Sequence, residues 1–185
     1  TKSKDIIQSD KFRALFPHIQ IRKDKSGKQN YENTETGYRY ATSTGATITG
    51  FHAHVIINDD PVNPKQAESE PLRVQANEHT KTLSSRKVDK ANTPVVTIMQ
   101  RLHEEDVTGY MLKKKGENIR HICLPAEECD DVKPAELRKF YVAGLLDPKR
   151  LNRTVLQEAM VDLGSRGYAG QYMQVPSAAG GNIIK

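Results

Sequence analysis

At 185 residues, with 28 Lys and Arg against 23 Asp and Glu, the chain fits one ordinary domain with a real core and carries a net charge of +5. A hydrophobic fraction of 36%, a mean hydropathy of -0.67 and the absence of Trp describe a polar chain. No apolar run approaches the ~20 residues that span a bilayer and no signal-peptide pattern opens the chain, so an intracellular protein without a membrane partner is expected. The mild basicity permits nucleic acid as a partner without requiring it.

The first helical pattern covers residues 3–16. Ile6, Ile7, Phe12, Leu15 and Phe16 supply an irregular apolar face, Ser3 or Ser9 can cap, and Pro17 is the stop. One helix or two short ones satisfy it. Three strand-like pieces follow at 19–22, 29–32 and 38–42, separated by the turn compositions Lys25-Ser26-Gly27-Lys28 and Asn33-Thr34-Glu35-Thr36-Gly37. Ser43-Thr44-Gly45-Ala46-Thr47 has the look of a phosphate loop but lacks the Gly-Lys-Ser/Thr ending that would supply its cation and its metal-binding hydroxyl.

The chain is organised around Thr47-Ile48-Thr49-Gly50-Phe51-His52-Ala53-His54-Val55-Ile56-Ile57-Asn58-Asp59-Asp60-Pro61. An apolar run closed by two acids and a proline reads as a buried strand of a parallel sheet, with Asp59 and Asp60 at its carboxyl end. Open α/β sheets place their ligands there. Adjacent carboxylates raise one another's pKa, and a bound cation is the simplest remedy. A solvated Asp-Asp-Pro turn is the plain alternative. His52 and His54 would share one strand face, where packing is the ordinary use.

Asn63-Pro64 is a helix start, and the helix runs from Glu68 to about Leu83 with a bend or restart at Pro71. Ser84-Ser85-Arg86-Lys87 is a basic turn suited to a helix C-terminus or to phosphate. Val95-Val96-Thr97-Ile98-Met99 is a second buried strand that delivers Gln100-Arg101-Leu102-His103 to the same sheet edge as the acids. Glu104-Glu105-Asp106 then opens a helix that Lys113-Lys114-Lys115-Gly116 closes, and a third strand is expected over 118–124, stopped by Pro125. This order is that of βαβ units, so an α/β fold on a parallel sheet is expected. Beyond it come a weak helix over 133–144, a turn at Asp147-Pro148, a clear amphipathic helix over 152–163 and a last helical segment over 166–172. Linker chemistry follows at Pro176-Ser177-Ala178-Ala179-Gly180-Gly181. Cys123 and Cys129 have no zinc spacing and are read as reduced thiols, a structural disulfide between them being the lesser alternative.

Four blocks then line up in order: the stretch from Gly50 to Pro61; Val96-Thr97-Ile98-Met99-Gln100-Arg101-Leu102-His103-Glu104-Glu105-Asp106-Val107-Thr108-Gly109; His121-Ile122-Cys123-Leu124-Pro125-Ala126-Glu127; and Tyr168-Ala169-Gly170-Gln171-Tyr172-Met173-Gln174-Val175-Pro176 with Gly180-Gly181. Together they resemble the large terminase subunit, the DNA-packaging motor of tailed bacteriophages and prophages. The resemblance implies an incomplete P-loop NTPase fold of the additional-strand type with a small helical C-terminal extension. Residues 1–130 would be the second half of the ATPase domain, 131–175 a helical linker subdomain, and 176–185 the start of the connection to a nuclease domain.

By the same resemblance Asp59 matches the Walker B aspartate that holds the Mg²⁺ of ATP, and Asp60 stands where related motors carry a catalytic Glu that polarises the attacking water. Gln100-Arg101 matches the motif that couples nucleotide state to movement. Family members commonly have Thr-Arg-Trp-His where this chain has Gln100-Arg101-Leu102-His103, so an amide replaces a hydroxyl. The implied partners are double-stranded DNA, the small terminase subunit, the portal protein and further copies in a ring, in the host bacterial cytoplasm. The chain has neither a P-loop nor the nuclease acids, so on its own it is expected to be inactive. A non-catalytic DNA-binding or assembly module, gripping phosphates through Arg86, Lys87, Lys90 and Lys113 to Lys115, is the competing reading. A metal nuclease using Asp59, Asp60 and Glu68 is a third.

Overall fold

The computed structural model describes residues 2–46 and 48–177. It divides the chain into two compact units, Thr1–Ile48 and Thr49–Lys185, at a point where the sequence reading places no boundary.

In the first unit, α1 (Lys2–Gln8) and α2 (Asp10–Leu15) split the expected helical stretch at Ser9. Ser9 does this by capping: its hydroxyl accepts from the Phe12 N–H while its extended backbone ends α1. Three short strands follow, β1 (Ile21–Ser26), β2 (Asn30–Asn33) and β3 (Tyr38–Tyr40), in an antiparallel sheet of order β1-β2-β3. Asn33 builds the second turn, its side-chain oxygen accepting from the Glu35 and Gly37 N–H groups. Tyr31 is the one buried hydrophobic residue among those described in this unit. The Lys4 ammonium lies 5.8 Å from its ring centroid.

The second unit begins with the parallel pair that the patterning expects. Strand β4 (Ile56–Asp59) and β5 (Val95–Ile98) run in register from Ile56↔Val95 to Asp59↔Ile98. The strands are not buried on both faces, however. Asn58 is 7% exposed, but Ile57 is 63%, Val96 43% and Ile98 54% exposed. One face of the ladder packs on the helices and the other carries these apolar side chains in the open.

The crossover between the strands is helical. Asn63 and Gln66 form a reciprocal capping box on α3 (Pro64–Ala67), and α4 (Glu70–Thr82) restarts with Pro71 in its first turn. Helix α5 (Val107–Lys115) begins at Asp106 and closes on Gly116 at φ 48°. Val62, Ala67, Ala76 and Val107 are the core of this half, with Met99, Leu102 and Met111 packed against them.

The expected third strand over 118–124 does not form. Cys123 instead exchanges both backbone hydrogen bonds, each 2.9 Å, with Lys133, an antiparallel bridge to the chain immediately downstream. Ile122 and Leu124 on either side point outward, 54% and 38% exposed. The fold is therefore mixed α/β on a two-stranded parallel sheet rather than a wider one. The expected helix over 133–144 is only a 3-10 segment, Ala135–Phe140. His52 and His54 flank an isolated bridge at Ala53 and lie on no strand.

Helix α6 (Arg153–Gln171) joins the two expected C-terminal helices across a break at Gly164, whose φ of 67° and ψ of 167° are not helical. Leu156 and Tyr168 on α6 bury against Ala126 and Leu145. Of the expected linker, residues 178–181 lie outside the described residues. Among the described residues no helix is long and apolar enough to cross a membrane.

Two phenols pin this last region. Tyr141 donates to the Pro125 carbonyl at 2.6 Å and Tyr168 to Glu127 at 2.7 Å. Burial pushes the Tyr141 phenol up to about 12, with the neighbouring Cys129 and Cys123 adding to it. Burial and the Glu127 carboxylate raise Tyr168 as well. Because the folded state prefers the neutral phenol, this stability is fully present below the ordinary value of 10.0 and is lost as pH climbs towards about 12. Tyr141→Phe is expected to cost about 1 kcal/mol at neutral pH. It should also flatten the fall in stability above the phenol's ordinary range, which denaturant titrations at neutral and strongly alkaline pH would show.

Candidate functional site

Parallel register brings the two halves of the expected site to one edge. Asp59 closes β4 opposite Ile98, and the Asp60 N–H donates to the Ile98 carbonyl at 2.9 Å, carrying the ladder one step further. Gln100 and Arg101 leave β5 two and three residues beyond that point. Asp60 has a φ of 41°, a left-handed conformation that Asp tolerates better than most residues. Both carboxylates are exposed, and neither takes a hydrogen bond or ion pair among the described residues. Asn58, one residue earlier, turns inward and donates to the Thr80 hydroxyl of α4 at 3.4 Å.

Arg101 is the best-defined of the expected site residues. Its Nε lies 3.1 Å and 3.0 Å from the two carboxylate oxygens of Asp106, and its side chain is 14% exposed against 0% for Asp106. Asp106 also accepts from the N–H groups of Leu102 at 3.0 Å, His103 at 3.3 Å and Gly109 at 2.8 Å. One buried carboxylate thus closes the turn after β5, caps α5 and holds the arginine. His103 completes the turn: buried, it accepts from the Glu105 N–H on Nδ1 at 3.0 Å. Within the block Gln100-Arg101-Leu102-His103, histidine therefore has a structural task.

Residues outside the expected site fix this turn to α4. Arg73 is 7% exposed, donates to the Ala67 carbonyl at the end of α3 at 2.7 Å and reaches Glu105 at 3.5 Å. Asn77 donates to the Glu105 carbonyl at 3.2 Å. Sequence reasoning gave Arg73 no role, because on a helix of low amphipathicity a buried arginine has the same local pattern as a solvated one. The position of Arg73 six residues after a proline-started turn was the only available hint.

A cleft of about 200 Å³ opens beside Arg101 and Leu102, bounded by Pro64, Glu68, Arg166 and Gly170. Glu68 and Arg166 meet across it at 3.3 Å, both side chains well exposed. A Cβ on Gly170 would lie 2.8 Å from the Arg101 carbonyl, so the second part of α6 packs on the Arg101 backbone only because that residue is glycine. Glu68 is thereby occupied with Arg166, and it forms no cluster with Asp59 and Asp60: among the described residues no group of three or more His, Cys, Asp or Glu could hold a metal ion.

The basic turn behaves as a helix end. Lys90 donates to the carbonyls of Ser84 at 3.4 Å and Ser85 at 2.8 Å, and Lys87 donates to the Lys90 carbonyl at 3.1 Å. The Lys90 ammonium thus satisfies carbonyls that the helix terminus leaves open, and Lys87 ties down the turn that follows. Lys113, Lys114 and Lys115 sit in the last turn of α5, where cations favour the helix dipole. Cys123 and Cys129 are free thiols, the first buried and pushed up by that burial. No protein-family model matches the chain, and no curated protein matches it either.

Proposed function

We propose that this chain is part of a DNA-packaging ATPase of the large terminase kind, contributing the Mg²⁺ side of the nucleotide site and the coupling turn. The observation that carries this reading is the parallel register of β4 and β5, which sets Asp59-Asp60 and Gln100-Arg101 at one strand edge. Asp59 is an exposed carboxylate at that edge. It suits Mg²⁺, which takes one or two carboxylates and completes its shell with phosphate oxygens and water. Bound there, Mg²⁺ would neutralise charge on the terminal phosphates.

Asp60 would orient the attacking water and accept its proton. Arg101 is held through Nε by Asp106 and through Nη2 by the His103 carbonyl at 3.5 Å, so its Nη1 would be the group that meets an anion, with the Gln100 amide beside it in the chain. The reading requires a phosphate-binding loop from a segment beyond these residues and a P-loop NTPase sheet that adds strands to β4 and β5. It places the whole protein in the host bacterial cytoplasm, acting on double-stranded DNA with the small terminase subunit, the portal protein and further copies in a ring.

In the full protein carrying this chain, Asp59→Ala is expected to lower Mg²⁺-dependent ATP hydrolysis by roughly 10²-fold or more. The isolated chain should show none. Hydrolysis that survives the substitution, or turnover by the isolated chain that disappears with Asp60→Ala, would overturn the assignment.

A further inference from the structure

The block His121-Ile122-Cys123-Leu124-Pro125 forms no third strand and has no part in the nucleotide reading, yet the Arg101 charge acts on two of its residues, His121 and Cys123. Burial alternates along it: Ile122 and Leu124 are exposed, Cys123 is buried and His121 is half-buried. Alternation of this kind puts His121 and Cys123 on one side of an extended chain. Lys133 comes to the same side, because it faces Cys123 directly across the antiparallel bridge, where opposed side chains share a face about 5 Å apart at Cβ. His121 stands diagonally from Lys133, within about 7 Å by the same geometry.

Electrostatics agrees with this placement. Burial first, then the Lys133 and Arg101 charges, hold the His121 imidazole below its ordinary value. No carboxylate among the described residues acts on His121. Asp131 acts on Cys123 instead, adding with Cys129 to the rise that burial causes there, against Lys133 and Arg101. Neither His121 nor the exposed Lys133 takes a hydrogen bond or ion pair among the described residues. Arg101 commits Nε to Asp106 and Nη2 to the His103 carbonyl, which leaves Nη1. An oxyanion among these three bases would relieve their mutual repulsion and reverse the penalty on the imidazolium.

We propose that Arg101 Nη1, His121 and Lys133 form a binding site for a doubly charged tetrahedral oxyanion, a phosphoryl group in the working protein, with His121 taking a proton from solvent as the anion arrives. The phosphoryl identity rests on the nucleotide reading; the cluster itself does not.

Sulfate is the probe, since it stays a dianion across the range in which histidine titrates, and any pH dependence then belongs to the protein. Isothermal titration of the full chain at fixed ionic strength should show sulfate bound roughly tenfold more tightly at about pH 5.5 than at about pH 8, the lower end of what a hydrogen bond to a charged group contributes. In NMR of the histidine ring protons, one titration midpoint should move upward with sulfate. His121→Gln should remove that resonance and the pH dependence together. Lys133→Gln should weaken sulfate about threefold at either pH, as expected for an exposed charge, and leave the midpoint's response in place. Circular dichroism on each variant checks that the fold is intact. Equal affinity at the two pH values, binding indifferent to either substitution in a folded protein, or no binding at all overturns the site. Pyrophosphate against inorganic phosphate separates the sources: tighter pyrophosphate marks the end of a longer phosphate chain and tighter phosphate a free ion, the site standing in either case. No hydrolysis is measured, so a failure here leaves the Asp59→Ala test of the ATPase reading untouched, and a failure of that test leaves sulfate binding standing.

Discussion

Asp106→Ala is expected to destabilise the protein by about 4 kcal/mol, because it removes a helix cap and leaves a largely buried guanidinium without its carboxylate. Asp106 is fully buried and accepts from three backbone N–H groups besides the Arg101 Nε. A cap alone contributes about 1 kcal/mol, while breaking a buried pair from one side costs about 3–5 kcal/mol, so the orphaned Arg101 dominates. Asp106→Asn keeps an acceptor for the Gly109 N–H but not the charge, and about half the loss is expected to return. Removing both partners, with Arg101→Met in the same chain, should cost less than Asp106→Ala alone, since no charge is then stranded. Urea midpoints at unchanged slope would measure all three. If Asp106→Ala shifted stability by less than about 1 kcal/mol, the pair would have to be dispensable and Arg101 free to move.

The second large effect is steric. A Cβ on Gly109 would lie 1.8 Å from the Glu104 carbonyl oxygen and 2.9 Å from its carbon, both backbone atoms with no rotamer to change. The first turn of α5 and the turn after β5 therefore cannot both stay where they are in Gly109→Ala. Overpacking of this kind costs about 1–3 kcal/mol, and the upper end applies because the clash is backbone on Cβ. A Tm lowered by roughly 5–10 °C is expected for a chain of this size. Helix propensity works the other way, alanine being favoured over glycine by about 1 kcal/mol in a helix interior. A Gly109→Ala variant more stable than the parent would thus show that propensity wins and that α5 can slide away from Glu104.

These two residues bear on the proposed function through the same turn. Arg101 can be held for an anion only while Asp106 holds its Nε and Gly109 lets α5 approach, so either substitution should impair whatever Arg101 does. The effect on Arg101 is indirect, and a loss of activity without a loss of stability would point to contact of Asp106 itself with a ligand.

Much of the local structure was legible because it depends on neighbours in sequence. Ser9, Asn63, Asp106 and Asn152 all cap where capping chemistry predicts, each accepting from an N–H three residues on. Gly116 ends α5 and Gly164 breaks α6, both at positive φ. That Asp59-Asp60 and Gln100-Arg101 leave neighbouring strands at the same end was legible too, since two β-branched runs joined by a helical crossover favour parallel pairing.

The failures share one cause. Residues 118–124 have strand composition, yet which partner a strand takes is set by what lies nearby in space, and here Lys133 takes both backbone groups of Cys123. Ile57, Val96 and Ile98 read as interior residues, but no element among those described covers their side of the ladder. Arg73, which the sequence reading gave no role, and His103, which it placed at the sheet edge, are both buried.

Sequence by itself determined where helices start and stop, that two apolar runs would lie parallel, and that the acids and the arginine would leave them at one end. These follow from caps, breakers and periodicity, which act over a few residues. Only the tertiary structure decided that the sheet has two strands, that Arg101 is committed to Asp106, and that Glu68 faces Arg166 rather than the acids. Those outcomes rest on contacts between residues distant in the chain or on the competition of several donors for one buried carboxylate, and neither is written in any local pattern.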